Sequence, residues 1–178
     1  MTMVDYWRDL ETGPQPPEVV YAVIENPKST ENKYEYDVKK KTIVLDRVLY
    51  SAMHYPGDYG LIPRTRDEDG DPLDILVLVT NPTFPGCIMT VRPIALLRMV
   101  DGDKADDKIL AVPTADPRYA QYKDMDDAPE HILKEIAHLF ETYKVLEGRT
   151  TKILGWENVE AAKAVIRRCQ ELYRHGAT

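Results

Sequence analysis

Residues 67–79 read Asp67-Glu68-Asp69-Gly70-Asp71-Pro72-Leu73-Asp74-Ile75-Leu76-Val77-Leu78-Val79. Five unbroken apolar residues behind a turn signal describe a buried strand, and Gly70 with Pro72 supplies the turn in front of it. That strand opens on a run of carboxylates. Carboxylates held this close repel one another, and without a counter-charge their pKa values rise. A divalent cation is the natural counter-charge, and an all-oxygen ligand set suits Mg2+ or Mn2+. A solvated acidic loop and a calcium loop are the blander readings. The calcium-loop rhythm fails here, because no flanking helices are predicted and the twelfth position from Asp67 is Leu78 where that motif needs a glutamate.

Outward from this stretch, the first two thirds of the chain read as short strands rich in β-branched and apolar residues. Val19–Ile24, Tyr34–Val38, Ile43–Val48, Ile88–Met99 and Ile109–Val112 join Ile75–Val79 as candidates. Lys39-Lys40-Lys41 falls between two of them and reads as a solvated hairpin turn. The last third switches to helical spacing. Asp127-Ala128-Pro129-Glu130 is a helix start, followed by Ile132, Ile136, Leu139 and Tyr143; after Gly155, Val159, Ala162, Val165, Ile166, Cys169 and Leu172 form a second amphipathic stripe. Strands first and two helices last predict an α+β fold on a small closed or partly open β-barrel, with residues 1–178 as one domain.

Composition narrows the function. The 178 residues are 43% hydrophobic and 30% charged, which suits a chain with a packed core and argues against disorder. The formal charge of −7 makes a poor generic ligand for nucleic acid. The apolar runs are too short to span a bilayer, and Met1–Leu10 shows no basic-then-apolar targeting pattern. The two cysteines, Cys87 and Cys169, form neither a disulfide framework nor a CxxC pair, so a cytoplasmic location is expected.

A second acidic turn, Asp101-Gly102-Asp103-Lys104-Ala105-Asp106-Asp107-Lys108, also sits at a strand end. In a barrel, two such ends can converge on one mouth and hold more than one metal; a charged surface hairpin is the alternative. Lys33 and Glu35 alternate and so share a strand face. Arg47 follows Asp46, Tyr55 and Tyr59 lie in a turn-rich segment, Lys108 belongs to the second acidic turn, and Tyr143-Lys144 closes the first helix. Each taken singly reads as an ordinary surface charge or core tyrosine. Taken together, acids, metals and several cations suit a polyanionic substrate with phosphate oxygens.

These residues resemble the soluble family I inorganic pyrophosphatases. The carrying motif is Asp69-Gly70-Asp71-Pro72-Leu73-Asp74 running into an apolar strand. Ile24-Glu25-Asn26-Pro27, Lys33-Tyr34-Glu35, Asp46-Arg47, Tyr55-Pro56-Gly57-Asp58-Tyr59-Gly60, Arg92-Pro93, Met99-Val100-Asp101, Asp106-Asp107-Lys108-Ile109 and Tyr143-Lys144 follow in the family's order, over about residues 19–147. The resemblance implies a five-stranded OB-like barrel with flanking helices, and hydrolysis of pyrophosphate with Mg2+ by attack of a metal-bridged water. It implies that Asp69, Asp74 and Asp106 hold activating metals, that Asp101 shares a further site with Asp106, and that Glu35 meets a metal arriving with the substrate. Asp71 would accept the proton; Lys33, Arg47, Tyr143 and Lys144 would bind phosphate; Tyr59 and Lys108 would line the site; Glu25 and Tyr55 would support it from behind. It also implies a homo-oligomer, most often a hexamer, for which His138 on the first helix is a candidate contact, an exposed surface histidine being the alternative.

One departure stands out. Many bacterial members carry a second acid after the aspartate aligned with Asp101, and here that position is Gly102, so that any role of that acid is either absent or passed to Asp103. The competing functional readings are a non-catalytic OB-like binding module, which wants a basic groove with stacking aromatics, and another metal-dependent phosphohydrolase. Met1–Pro17 carries no chemical signal beyond Trp7, a candidate anchor for the N-terminal stretch.

Overall fold

The computed structural model describes residues 4–176; Met1–Met3 and the last two residues lie outside them. The strands are β1 (Val20–Asn26), β2 (Asn32–Asp37), β3 (Thr42–Val48), β4 (Asp58–Leu61), β5 (Asp74–Val77), β6 (Ile88–Asp101), β7 (Lys104–Ala105), β8 (Lys108–Pro113) and β9 (Thr151–Glu157). Helices α1 (Glu130–Thr142) and α2 (Val159–Gly176) flank β9 in the chain.

Five strands pair in a closed circuit, β1–β4–β5–β8–β6 and back to β1. The expected five-stranded ring is therefore present, with β7 and β9 added on β6. Among the described residues only β5 and β8 pair in parallel. Parallel strands are normally buried on both faces, and Ile75, Leu76, Val77, Ile109, Leu110 and Ala111 are all fully or almost fully buried. Their period-two alternation feeds two cores. Ile75, Val77, Ile109 and Ala111 pack with Ala162, Val165, Ile166 and Cys169 of α2. Leu76, Leu110 and Val112 pack with Ile136, Leu139 and Phe140 of α1. Burying a side chain such as Ile166 contributes about 1.5–3 kcal/mol, and the 3.6-residue period of each helix delivers such residues to one face. Leu172, placed on the α2 stripe by its spacing, is 37% exposed at the helix's far end.

The strands β4 and β9 have no clean signature in the sequence. The first is four residues long and carries Gly60, where an added Cβ would lie 1.9 Å from the Val23 carbonyl oxygen. Only glycine lets β1 and β4 approach this closely. The second alternates in exposure and takes its place by pairing with the long strand β6. Asp127, which opens the expected helix start, does not cap α1. Its carboxylate accepts from the Lys123 and Asp124 N–H groups and closes a short turn, while Pro129 starts α1. Lys39–Lys41 do form the exposed turn of the β2–β3 hairpin. Trp7 is buried, and its indole N–H donates to the Thr65 carbonyl at 2.6 Å.

Candidate active site

The parallel register places Asp74 directly beside Lys108. Asp106 lies two residues before Lys108, in the link between β7 and β8. The Lys108 ammonium consequently reaches Asp74 Oδ2 at 2.5 Å and also contacts Asp106 Oδ1. The Tyr59 hydroxyl donates to the same Asp74 oxygen at 2.6 Å, from β4 on the other side of β5. Here the two acidic turns meet.

The turn in front of β5 is tied to itself. Asp67 N–H donates to the Asp71 carbonyl at 2.8 Å, Gly70 N–H to the Asp67 carbonyl at 3.0 Å, and Asp71 N–H to Asp69 Oδ1 at 2.9 Å. Gly70 has φ +98°, a left-handed value open to glycine. The second turn folds back from β6 to β7 through Gly102, φ +62°, setting Lys104 opposite Asp101. Asp101 accepts from Lys144 at 2.6 Å and from Arg149 at 2.8 Å.

Both turns open on one cavity of about 670 Å³. Twelve of the fourteen residues expected to form the site line it: Glu25, Lys33, Glu35, Tyr59, Asp69, Asp71, Asp74, Asp101, Asp106, Lys108, Tyr143 and Lys144. Two do not. Tyr55 stands behind Tyr59, with ring centroids 5.4 Å apart. Arg47 is held by Glu147, whose two carboxylate oxygens take its Nε–H and Nη2–H at 2.9 Å each. The cavity also takes in Asp103, the alternative to the acid missing at Gly102, and Asp67, Lys104, Asp107 and Arg149, which have no role in the sequence analysis. The clustering of Asp67, Asp103 and Asp107 in the two acidic runs was a usable signal; for Arg149, which reaches back across the fold, there was none.

Burial and crowding shape the charges. Ten carboxylates face five cations around this wall. The Asp71 carboxyl is pushed up by burial and by the charges of Asp69 and Asp74. Glu25, buried and accepting from the Tyr36 N–H at 2.7 Å, is pushed up to about 8 by burial and by Asp74. Burial lowers the Lys33 ammonium against the opposing pull of Asp46. For Lys108 burial acts the same way, but Asp74 and Asp106 outweigh it and raise the pKa. Lys144 likewise outweighs burial at Asp101 and holds that carboxyl low. Burial, then Asp106 and Asp74, raise the Tyr143 phenol.

Among the described residues, no three carboxylate, histidine or cysteine side chains converge in the geometry of a metal site. Ammonium groups instead occupy the carboxylates: Lys108 on Asp74 and Asp106, Lys144 on Asp101, Lys33 on Glu35. The donor set nonetheless fits hard divalent cations, being all-oxygen, closely spaced and in twofold excess over the cations beside it. An acidic wall of this kind is the opposite of the basic, aromatic groove that single strands require.

The inorganic pyrophosphatase family model matches residues 22–174. The chain belongs to the inorganic pyrophosphatase family. The enzyme is an inorganic diphosphatase, and its family implies a divalent metal cofactor and pyrophosphate as substrate. It is 52% identical to an inorganic pyrophosphatase from Haloferax volcanii, over 96% of this chain and 97% of that one. It is 47% identical to one from Synechocystis, over 93% and 99%. The crystal structure of inorganic pyrophosphatase from Thermus thermophilus superposes with a TM-score of 0.93 at 45% identity, covering 96% of this chain and 99% of that one. No helix among the described residues is long and apolar enough to cross a membrane.

Proposed function

We propose that the enzyme hydrolyses pyrophosphate to two orthophosphates with Mg2+, for which Mn2+ can substitute, and that Asp71 accepts the proton of the attacking water. The observation that carries this reading is the meeting of two acidic turns and five cations around one cavity. A polyanion enters so acidic a cavity only with divalent cations, and the lysines and arginine then suit phosphate oxygens.

Asp69, Asp74, Asp101, Asp106 and Glu35 would hold the metals. Mg2+ when bound neutralises phosphate charge and lowers the pKa of the attacking water. Asp71 receives the proton from that water, its carboxyl lining the same cavity as Asp69 and Asp74. Lys33, Lys144 and Tyr143 bind the phosphate groups, and Lys108 and Tyr59 shape the wall beside Asp74. Arg47 contributes to phosphate binding from outside the cavity lining, where its guanidinium is paired with Glu147. Glu25 and Tyr55 support these groups from behind. The assembly is proposed to be a homohexamer of single-domain chains in the cytoplasm.

The test is phosphate release from pyrophosphate with and without Mg2+, and with Ca2+ as competitor. Asp71→Asn is expected to keep the parent circular dichroism spectrum and to lower kcat by about 10²–10⁴-fold, the range of a lost general base. A parent rate in Asp71→Asn, or a parent rate without divalent metal, would refute the reading.

A further inference from the structure

Each acidic turn carries one buried aspartate, Asp67 in the first and Asp107 in the second. Asp67 is 7% exposed and Asp107 is 4% exposed. Both line the cavity, yet each is paired with an arginine from elsewhere in the fold. Arg168 of α2 donates to Asp67 Oδ1 at 3.1 Å and to Glu68 Oε1 at 3.2 Å. Arg98 of β6 donates to Asp107 Oδ2 at 2.6 Å, and its other edge is taken by Glu157 of β9 at 3.0 and 3.3 Å.

We infer that these two pairs set the positions of the acidic turns, and that Arg168, remote in sequence and contributing no side chain to the cavity, is a positioning residue for metal binding. Asp67 is the keystone of its turn. Its N–H and C=O bond Asp71 and Gly70, its own carboxylate accepts from the Glu68 N–H at 2.9 Å, and its neighbour Arg66 N–H donates to the Cys169 carbonyl at 2.9 Å. The turn is thus laid along α2 by the Arg66–Cys169 backbone bond and by the ion pairs of Arg168 with Asp67 and Glu68. Arg168 is the cation within reach of Asp67. A buried carboxylate deprived of its counter-ion is strongly destabilised where it sits. It escapes by moving toward water, and Asp69 and Asp71, two and four residues on, move with it. The Glu68 arm is solvent-exposed and contributes little. Asp107 and Arg98 do the same for the turn that carries Asp106.

This inference rests on the reading of Asp69 as a metal ligand, and the experiment separates the two. Mg2+ binding to the substrate-free enzyme is measured by isothermal titration calorimetry for the parent, Arg168→Gln, Arg168→Lys and Asp69→Asn. Arg168→Gln is expected to bind Mg2+ roughly tenfold more weakly, the scale of a lost outer partner of a metal site. Arg168→Lys keeps the charge but not the two-pronged reach, and is expected to fall between that variant and the parent. Simple removal of a positive charge would tighten cation binding, so the expected direction is the reverse of the electrostatic one. Parent affinity in either Arg168 variant, or tighter binding by Arg168→Gln, overturns the inference. Parent affinity in Asp69→Asn overturns instead the reading of the carboxylates on which it rests.

Discussion

Replacing Lys108 with methionine removes the ammonium that Asp74 and Asp106 share and that stands 5.7 Å from the Phe140 ring centroid, while keeping an unbranched apolar stem. Lys108 is 3% exposed. Breaking one partner out of a buried ion pair costs about 3–5 kcal/mol, because the remaining charges are left uncompensated. For a chain of this size each kcal/mol is worth about 2–4 °C in melting temperature. Metal-free Lys108→Met is therefore expected to melt about 10 °C below the parent. Mg2+ at roughly a hundred times its Kd adds about 2.7 kcal/mol to the folded state of any binder. In the variant the gain is larger, because Asp74 and Asp106 are no longer shared with an ammonium. Thermal unfolding followed by circular dichroism, with and without saturating Mg2+, reads both effects. The gap between parent and variant is expected to shrink to about half when Mg2+ is present. A gap of equal size in both conditions would mean that Lys108 acts through packing alone, and the account of the ammonium groups as stand-ins for metal would fail.

Three further outcomes are expected. Asp74→Ala should raise the Mg2+ concentration that gives half-maximal phosphate release by at least tenfold; an unchanged metal titration would remove Asp74 from the ligand set. At Asp5, 1% exposed, burial alone would raise the carboxyl pKa. Hydrogen bonds from the Tyr36 hydroxyl, from the Arg8 backbone and side chain, and from the Trp7 N–H outweigh it and hold the pKa below the usual range. A depressed native pKa contributes stability above the unfolded value of about 3.9 and loses it as pH falls through the native one. Asp5→Asn should flatten that part of the acid-unfolding profile in urea titrations below about pH 4. Gly60→Ala places a Cβ 1.9 Å from the Val23 carbonyl oxygen and 2.8 Å from its carbon, and should destabilise the ring by about 3 kcal/mol or more in equilibrium unfolding.

The site was unusually legible because its residues come in local clusters. Asp69, Asp71 and Asp74 are spaced within one turn, and Asp101 and Asp106 within another, so their chemistry reads from adjacency. The individual roles of Lys33, Tyr143 and Lys144 came from the family resemblance instead, since each taken singly reads as an ordinary surface charge or core tyrosine. Arg47 shows the limit of both routes. Its position beside Asp46 says nothing of Glu147, a hundred residues away, which draws the guanidinium off the cavity wall. Arg149 and Arg168 were invisible for the same reason.

Most of the strands (not β4 or β9), the acidic turns and the two helices were settled by the chain's own pattern, because periodicity and turn chemistry act over a few residues. So was the demand for a counter-charge, since like charges packed within one turn repel whatever the fold. Tertiary structure alone decided which counter-charges answer that demand. The parallel pairing of β5 with β8 brings Lys108 between Asp74 and Asp106, and the pairing of β9 with β6 places Glu157 against Arg98. These are meetings of segments far apart in the chain. Their energies depend on burial and distance, and both exist only once the ring has closed.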